Sequence, residues 1–405
     1  MISSLALIFL LGLAFAAICK RLRLPGILGM LLVGMILGPC CFNLLDDSIL
    51  MVSGDLRKIA LIIILIKAGL SLDLEDLKRV GRPAIMMSFI PATMEVLAFT
   101  LLAPHFFGIS RIDAAVMGAV LGAVSPAVVV PRMVKLMEEG YGTKQGIPQI
   151  ILAGASCDDV FVIVLFSTFL RMSQGGSGAT ASEILSIPVS IILGIAMGAL
   201  GGLLLSRFFE SAFIRKQMIR NSMKMIIVLG VSFLFVAIED WLDGILAISG
   251  LLAVMAMACI LRKKCPASVS SRLSQKFGKL WLAAEVILFV LVGAAVDLRY
   301  TMEAGVMAIA MIACALVFRA VGVLICMLGT HLSRKEKGFC VLSYMPKATV
   351  QAAIGSVPMA AGLASGSLIL SVAVLGILIT APIFSFAMDL TYKKLLKRFD
   401  EPSAD

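Results

Sequence analysis

The sequence is poor in charge and in the side chains that usually carry covalent chemistry. Of 405 residues only 15% are charged, and there are two histidines, two tryptophans and four tyrosines. Neither His105 nor His331 stands in a metal-ligand or triad motif, and the nine cysteines are scattered without ligand spacing, so they read as small packing residues. No Gly-rich phosphate loop or ATP-binding cassette signature occurs, so a primary pump would need a partner subunit. Long polar segments are scarce as well. Residues 171–183, rich in Gly, Ser and Ala, read as a flexible external connection, and 208–223 and 262–279 as basic surfaces. Nothing calls for a cofactor or a catalytic residue.

What the chain has in quantity is apolar length. It is 60% hydrophobic with a mean hydropathy of +1.05, which excludes a soluble globule and indicates an all-α polytopic membrane protein. Thirteen transmembrane helices are expected, over residues 2–18, 24–41, 58–72, 82–103, 112–130, 149–170, 184–206, 222–238, 243–261, 280–296, 303–329, 338–361 and 366–391. Lys20, Arg21 and Arg23 follow the first apolar run, the reverse of a signal peptide's order, so that run is kept as a span.

If the spans alternate, and Lys58, Arg82 and Lys224 at span edges are counted with their loops, the seven segments on the side of Lys20 carry 27 of the 35 Lys and Arg, and the opposite segments carry 5. Lys67, Arg319 and Lys347 fall inside spans. Positive loops stay cytoplasmic, which puts the N-terminus outside and the C-terminus inside the plasma (inner) membrane. The net charge of +10 then reports topology and contact with anionic lipid, not nucleic acid.

An internal repeat runs through the chain. Gly69 to Asp73-Leu74 at the end of span three recurs as Gly293 to Asp297-Leu298 in span ten, an offset of 224, and the same offset carries Glu95 onto Arg319. Ser125-Pro126 interrupts span five and Met345-Pro346 span twelve, while Gly26-Ile-Leu and Gly244-Ile-Leu open spans two and nine. Seven crossings separate the partners, so two six-helix repeats of inverted topology are expected. A proline inside a span removes a backbone hydrogen bond. Two such breaks in equivalent helices point to crossed broken helices near the midplane, where transporters hold their substrate ions.

The acids of span six are the leading site candidates. An ionised carboxylate at bilayer depth costs at least ~2.5 kcal/mol, so Asp158 and Asp159 must face protein, water or an ion. They can border one cavity and titrate as a coupled unit, which lets one site take a proton or a cation. Ser156, three residues before Asp159, brings its hydroxyl to the same side. Lys347 follows the Pro346 break, with Asp158 as its expected carboxylate partner and snorkelling to the interface as the alternative. Glu95 and Arg319 are expected to form a buried ion pair that fixes register between spans four and eleven. Lys67 and Glu285 either pair or leave the lysine to snorkel. The Gly34–Gly38 and Gly194–Gly198 spacings suit close helix packing.

Through Met345-Pro-Lys-Ala-Thr-Val-Gln-Ala352, the Asp158-Asp159 pair and Ile66-Lys-Ala-Gly-Leu70, nearly the whole chain resembles the monovalent cation/proton antiporter superfamily. The resemblance is strongest to its sodium/hydrogen antiporter branch, shared by bacteria and animals. It implies the Na+/H+ antiporter fold: a homodimer of thirteen-helix protomers working by an elevator motion. Residues 1–80 and 211–300 would form the two halves of a dimerisation domain, 81–170 and 301–405 the halves of an ion-transporting core, and 171–210 a linker helix. By motif, Asp159 resembles the principal Na+ or Li+ ligand, Asp158 its companion, and Ser125 the edge of the broken-helix site. Many relatives carry a lysine in the helix equivalent to span eleven; this chain has Arg319.

The expected function is therefore exchange of Na+ or Li+ for H+, the two competing for the aspartate pair, with Lys347 compensating charge. A Na+-coupled organic anion transporter on a similar inverted-repeat fold is the alternative, against which the paired acids count. An intramembrane aspartyl protease would want its two carboxylates on separate helices facing across a water, whereas these are neighbours on one.

Overall fold

The computed structural model describes residues 1–22, 24–71, 81–174, 181–214, 220–242, 248–296 and 298–398. Asp73, Asp297 and Gly244, which carry two of the repeat correspondences, lie outside the described residues. Every regular element among those described is a helix: α1 (Ile2–Arg21), α2 (Gly26–Leu37), α3 (Asp47–Met51), α4 (Ser53–Ser71), α5 (Arg82–Met87), α6 (Ile90–Phe107), α7 (Arg111–Leu121), α8 (Pro126–Glu138) and α9 (Ile147–Gln174). They continue as α10 (Ala181–Ile214), α11 (Asn221–Trp241), α12 (Gly250–Lys264), α13 (Ala267–Ala294), α14 (Leu298–Cys326), α15 (Arg334–Ser343), α16 (Thr349–Gly355), α17 (Val357–Ala360) and α18 (Gly366–Leu395).

Among the described residues, nine helical stretches are long and apolar enough to cross a membrane, fewer than the thirteen expected. The physical reasons for the difference are local. At 12 residues α2 reaches only about 18 Å. Four charged residues, Asp55, Arg57, Lys58 and Lys67, interrupt the apolar run of α4. The described part of span nine, α12, has 15 residues, and span twelve is divided among α15, α16 and α17.

The chain divides into two compact units. The first comprises Met1–Gly54, Asp73–Phe169 and Phe289–Asp405. Here α14 packs along α6, α1 along α2, and α18 against α7, α14, α15 and α16. A Cβ on Gly34 would sit 2.9 Å from the Gly293 Cα, so α2 can approach the end of α13 only without side chains at these positions. The second unit comprises Asp55–Leu72 and Leu170–Leu288, with α12 packed on both α10 and α11. There a Cβ on Gly198 would lie 2.8 Å from the Ala253 Cα, the same device in another helix pair. The Lys67 ammonium stands 5.7 Å from the Trp281 ring centroid, held over an aromatic face.

Local sequence explains both helix breaks. Ser110 caps α7 by accepting from the Asp113 amide at 3.0 Å, and α7 stops at Leu121 because Ser125, preceding Pro126, is extended (φ −89°, ψ 108°). Pro126 then opens α8, where its missing N–H is harmless. Likewise Ser333 and Glu336 form a reciprocal capping box at the start of α15, which ends at Ser343 before Met345-Pro346. Both breaks are in the first unit.

Candidate functional site

The two breaks meet. The Ser125 amide donates to the Pro346 carbonyl at 2.8 Å, a main-chain bond between segments more than two hundred residues apart. A helix interrupted in a membrane leaves carbonyls at one stub and amides at the other, and these must be answered inside the protein. The C-terminal carbonyls of α7 are answered by side chains of the second half. Gln351 Nε2 reaches the Leu121 oxygen at 3.3 Å and the Ala123 oxygen at 2.8 Å, Arg319 Nη1 reaches the Gly122 oxygen, and Lys347 Nζ lies 3.3 Å from the Ala123 oxygen. On the opposite stub, Arg319 Nε donates to the Tyr344 carbonyl at 2.5 Å, Thr380 accepts from the Lys347 amide at 2.9 Å, and Gln351 Oε1 accepts from the Ala348 amide at 2.8 Å.

Arg319 is the hub of the charged groups. Its Nη1 lies 2.7 Å from Glu95 Oε2 and its Nη2 3.3 Å from Asp158 Oδ2, so one guanidinium ties α6, α9, α14 and both breaks together. The expected pair of Glu95 and Arg319 is present, but within a wider network. Lys347 takes Glu95, at 2.5 Å, as its direct partner instead of the expected Asp158. Sequence offsets cannot reveal this, because the side-chain reach from the second break depends on how the stubs cross. Asp158 is held by Arg319 and by the Val124 amide, which donates to its Oδ2 at 2.7 Å.

All four network members are buried. Among the described residues, three oxygens here have no hydrogen-bonding partner: Ser125 Oγ, Asp158 Oδ1 and Asp159 Oδ1. Buried oxygens left without donors are costly unless another group meets them. Asp159 is the outlier among the acids, since no cation pairs with it among the described residues while Asp158 and Glu95 share two. The side chain of Ser156 lies outside the described residues.

Gln351, Tyr344 and Thr380 are participants that reading the sequence alone passes over. Tyr344 stacks under the Arg319 guanidinium at 5.2 Å and donates its hydroxyl to the Met87 carbonyl at 3.0 Å. An uncharged residue in a span carries no depth penalty that flags it, although Gln351 sits inside the quoted motif.

A family model described as "Sodium/hydrogen exchanger, transmembrane" matches residues 5–393. The chain belongs to the sodium/hydrogen exchanger family. Among its relatives, human sodium/hydrogen exchanger 9B2 is 33% identical over 398 residues, covering 94% of this chain and 72% of that protein. Human sodium/hydrogen exchanger 9B1 is also 33% identical, covering 94% and 74%. The resemblance to the monovalent cation/proton antiporter superfamily is thus established, and these relatives are transporters. In fold, the chain matches the sodium proton antiporter MjNhaP1 from Methanocaldococcus jannaschii at pH 8, with a TM-score of 0.79 at 21% identity over 97% of this chain and 98% of that one. As a family member the chain is an integral, all-helical membrane protein of the antiporter class.

Proposed function

We propose that this family member exchanges Na+ or Li+ for H+ by alternating access, with cation and proton competing for Asp159 and Asp158. The observation that carries the reading is the set of oxygens without a partner among the described residues, Ser125 Oγ, Asp158 Oδ1 and Asp159 Oδ1, at a helix crossing where Gln351, Arg319 and Lys347 answer the freed carbonyls of Leu121, Gly122 and Ala123. Carboxylate and hydroxyl oxygens are hard donors suited to a small cation. A proton on Asp159 and a cation beside it neutralise the same charge, so each displaces the other. The site empty of both would cross the barrier poorly, because a bare buried carboxylate is costly. Lys347 and Arg319 compensate Glu95 and Asp158 and leave Asp159 to the substrate.

The family name and the names of the relatives support Na+ and H+ as substrates. The two cations at the helix crossing, Arg319 and Lys347, are engaged by acids, which counts against an organic anion held there and so against Na+-coupled anion transport.

The finer architecture belongs to the same proposal: thirteen spans in two inverted repeats, an elevator-type core of residues 81–170 and 301–405, a dimerisation domain of 1–80 and 211–300, a linker at 171–210, and a homodimer in lipid with its N-terminus outside. Ion pairs support the topology, since each joins residues assigned to the same side or the same end of a span: Lys58 with Asp240 at 3.3 Å and Arg171 with Glu239 at 2.6 Å outside, Arg132 with Asp389 at 3.0 Å inside. The capping serines Ser110 and Ser333 extend the repeat. The test is Na+-driven proton flux in proteoliposomes: Asp159→Asn is expected to abolish it, and coupled exchange in that variant overturns the assignment.

A further inference from the structure

Gln351 has no role in the exchange reading. It is fully buried on the first turn of α16, carries no charge to balance, and spends every polar atom on main chain. Its carbonyl holds the Ala348 amide of its own break, while its amide holds the Leu121 and Ala123 carbonyls of the other. Ala348 offers no side-chain cap, so Gln351 alone supplies the reciprocal half of a capping box. That accounts for one end of the side chain. The other end does something a purely helical cap would not need, which is to occupy two carbonyl oxygens beside Ser125.

Those oxygens are cation ligands in waiting. Carbonyls at an interrupted helix replace the hydration shell of a monovalent ion, and their number and field strength decide which ion fits. With Leu121, Gly122 and Ala123 all capped by donors, an ion at the crossing meets chiefly Ser125 Oγ, Asp158 Oδ1 and Asp159 Oδ1. Such a set has few ligands and a strong anionic field, which favours a small ion. Without the Gln351 amide the Leu121 carbonyl is freed and Ala123 keeps only the 3.3 Å contact from Lys347, which raises the ligand number and favours a larger ion.

We propose that Gln351 is a positioning residue that sets cation selectivity by withholding the Leu121 and Ala123 carbonyls from the transported ion. The inference rests on the exchange reading above. It assigns the preference for a small cation to an uncharged residue on the opposite break from the aspartates.

Two variants test it in proteoliposomes, with exchange driven by Na+, Li+, K+ or Rb+ in the same preparation. Gln351→Met removes both ends of the amide, while Gln351→Asn shortens the side chain by one methylene and withdraws its donors from the Leu121 and Ala123 carbonyls without adding a charge. The ratio of apparent KM for K+ to that for Na+ is expected to fall in both by about tenfold, the scale of a net hydrogen bond. That ratio does not depend on how much protein folds, and Gln351→Asn carries the test should Gln351→Met misassemble. Loss of exchange by one common factor for all four cations, with the ratios unchanged, would make Gln351 a structural staple and overturn the proposal. Exchange that survives Asp159→Asn in the wild-type background would instead remove the exchange reading, and this inference with it.

Discussion

Glu95 holds Lys347 at 2.5 Å and Arg319 at 2.7 Å on the same carboxylate oxygen, Oε2. One acid from the first half thus anchors two cations from the second, and Arg319 passes on to Asp158 at 3.3 Å. Removing the acid strands Lys347 and leaves Arg319 with Asp158 alone. Glu95→Gln is expected to destabilise the protein by about 3 to 5 kcal/mol, read as a lowered melting midpoint in detergent. Combining it with Lys347→Met should cost less than the sum of the two single changes, because each single variant leaves the other group buried without its counter-charge. Additive costs would show that the pair is not coupled.

The two adjacent aspartates should separate by experiment. Asp158 accepts from Val124 and from Arg319, so Asp158→Ala leaves a buried amide and part of a guanidinium unanswered and should lower the melting midpoint. Asp159 has no cation partner among the described residues, and Asp159→Asn should leave the midpoint nearly unchanged while abolishing coupled flux. Equal destabilisation in both would place Asp159 in the structural network.

Much of this was legible in the sequence, because charge inside an apolar run is costly and therefore conspicuous. Asp158, Asp159, Glu95, Arg319 and Lys347 announce themselves that way, and Pro126 and Pro346 mark the breaks. Partner choice was not legible: Lys347 reaches Glu95 because of how the stubs cross, which residue offsets do not encode. Gln351 and Thr380 escaped notice because a neutral side chain at depth resembles any packing residue until its hydrogen bonds are seen. The span count fell short in the described residues for a related reason, since α4 carries four charges and span twelve is divided at Met345-Pro346.

Competition at Asp159 fixes the sign of a pH dependence. A proton on the carboxylate removes the charge that attracts Na+, so lowering the pH should raise the apparent KM for Na+ by up to about tenfold per unit, with the maximal rate unchanged at saturating Na+. Initial rates of exchange over a grid of Na+ and pH check this. A KM that is independent of pH would separate the proton and cation sites.

The charge count at the crossing leads to a last expectation, on electrogenicity. Glu95 and Asp158 supply two negative charges, and Arg319 and Lys347 two positive ones, all within one bonded network. Among the described residues of the crossing, Asp159 is then the acid left without a paired cation. If the network keeps its protons throughout the cycle, one Na+ replaces one H+ at Asp159, the loaded carrier has the same charge in both directions, and no net charge crosses the membrane. Exchange rates in vesicles clamped at zero and at −100 mV should then be equal, although each elementary charge moved would be worth about 2.3 kcal/mol per 100 mV. A rate that follows the potential would mean that a second proton leaves the network on each turn, and Lys347→Met, which removes a titrating member while leaving Asp159 in place, should then abolish that voltage dependence.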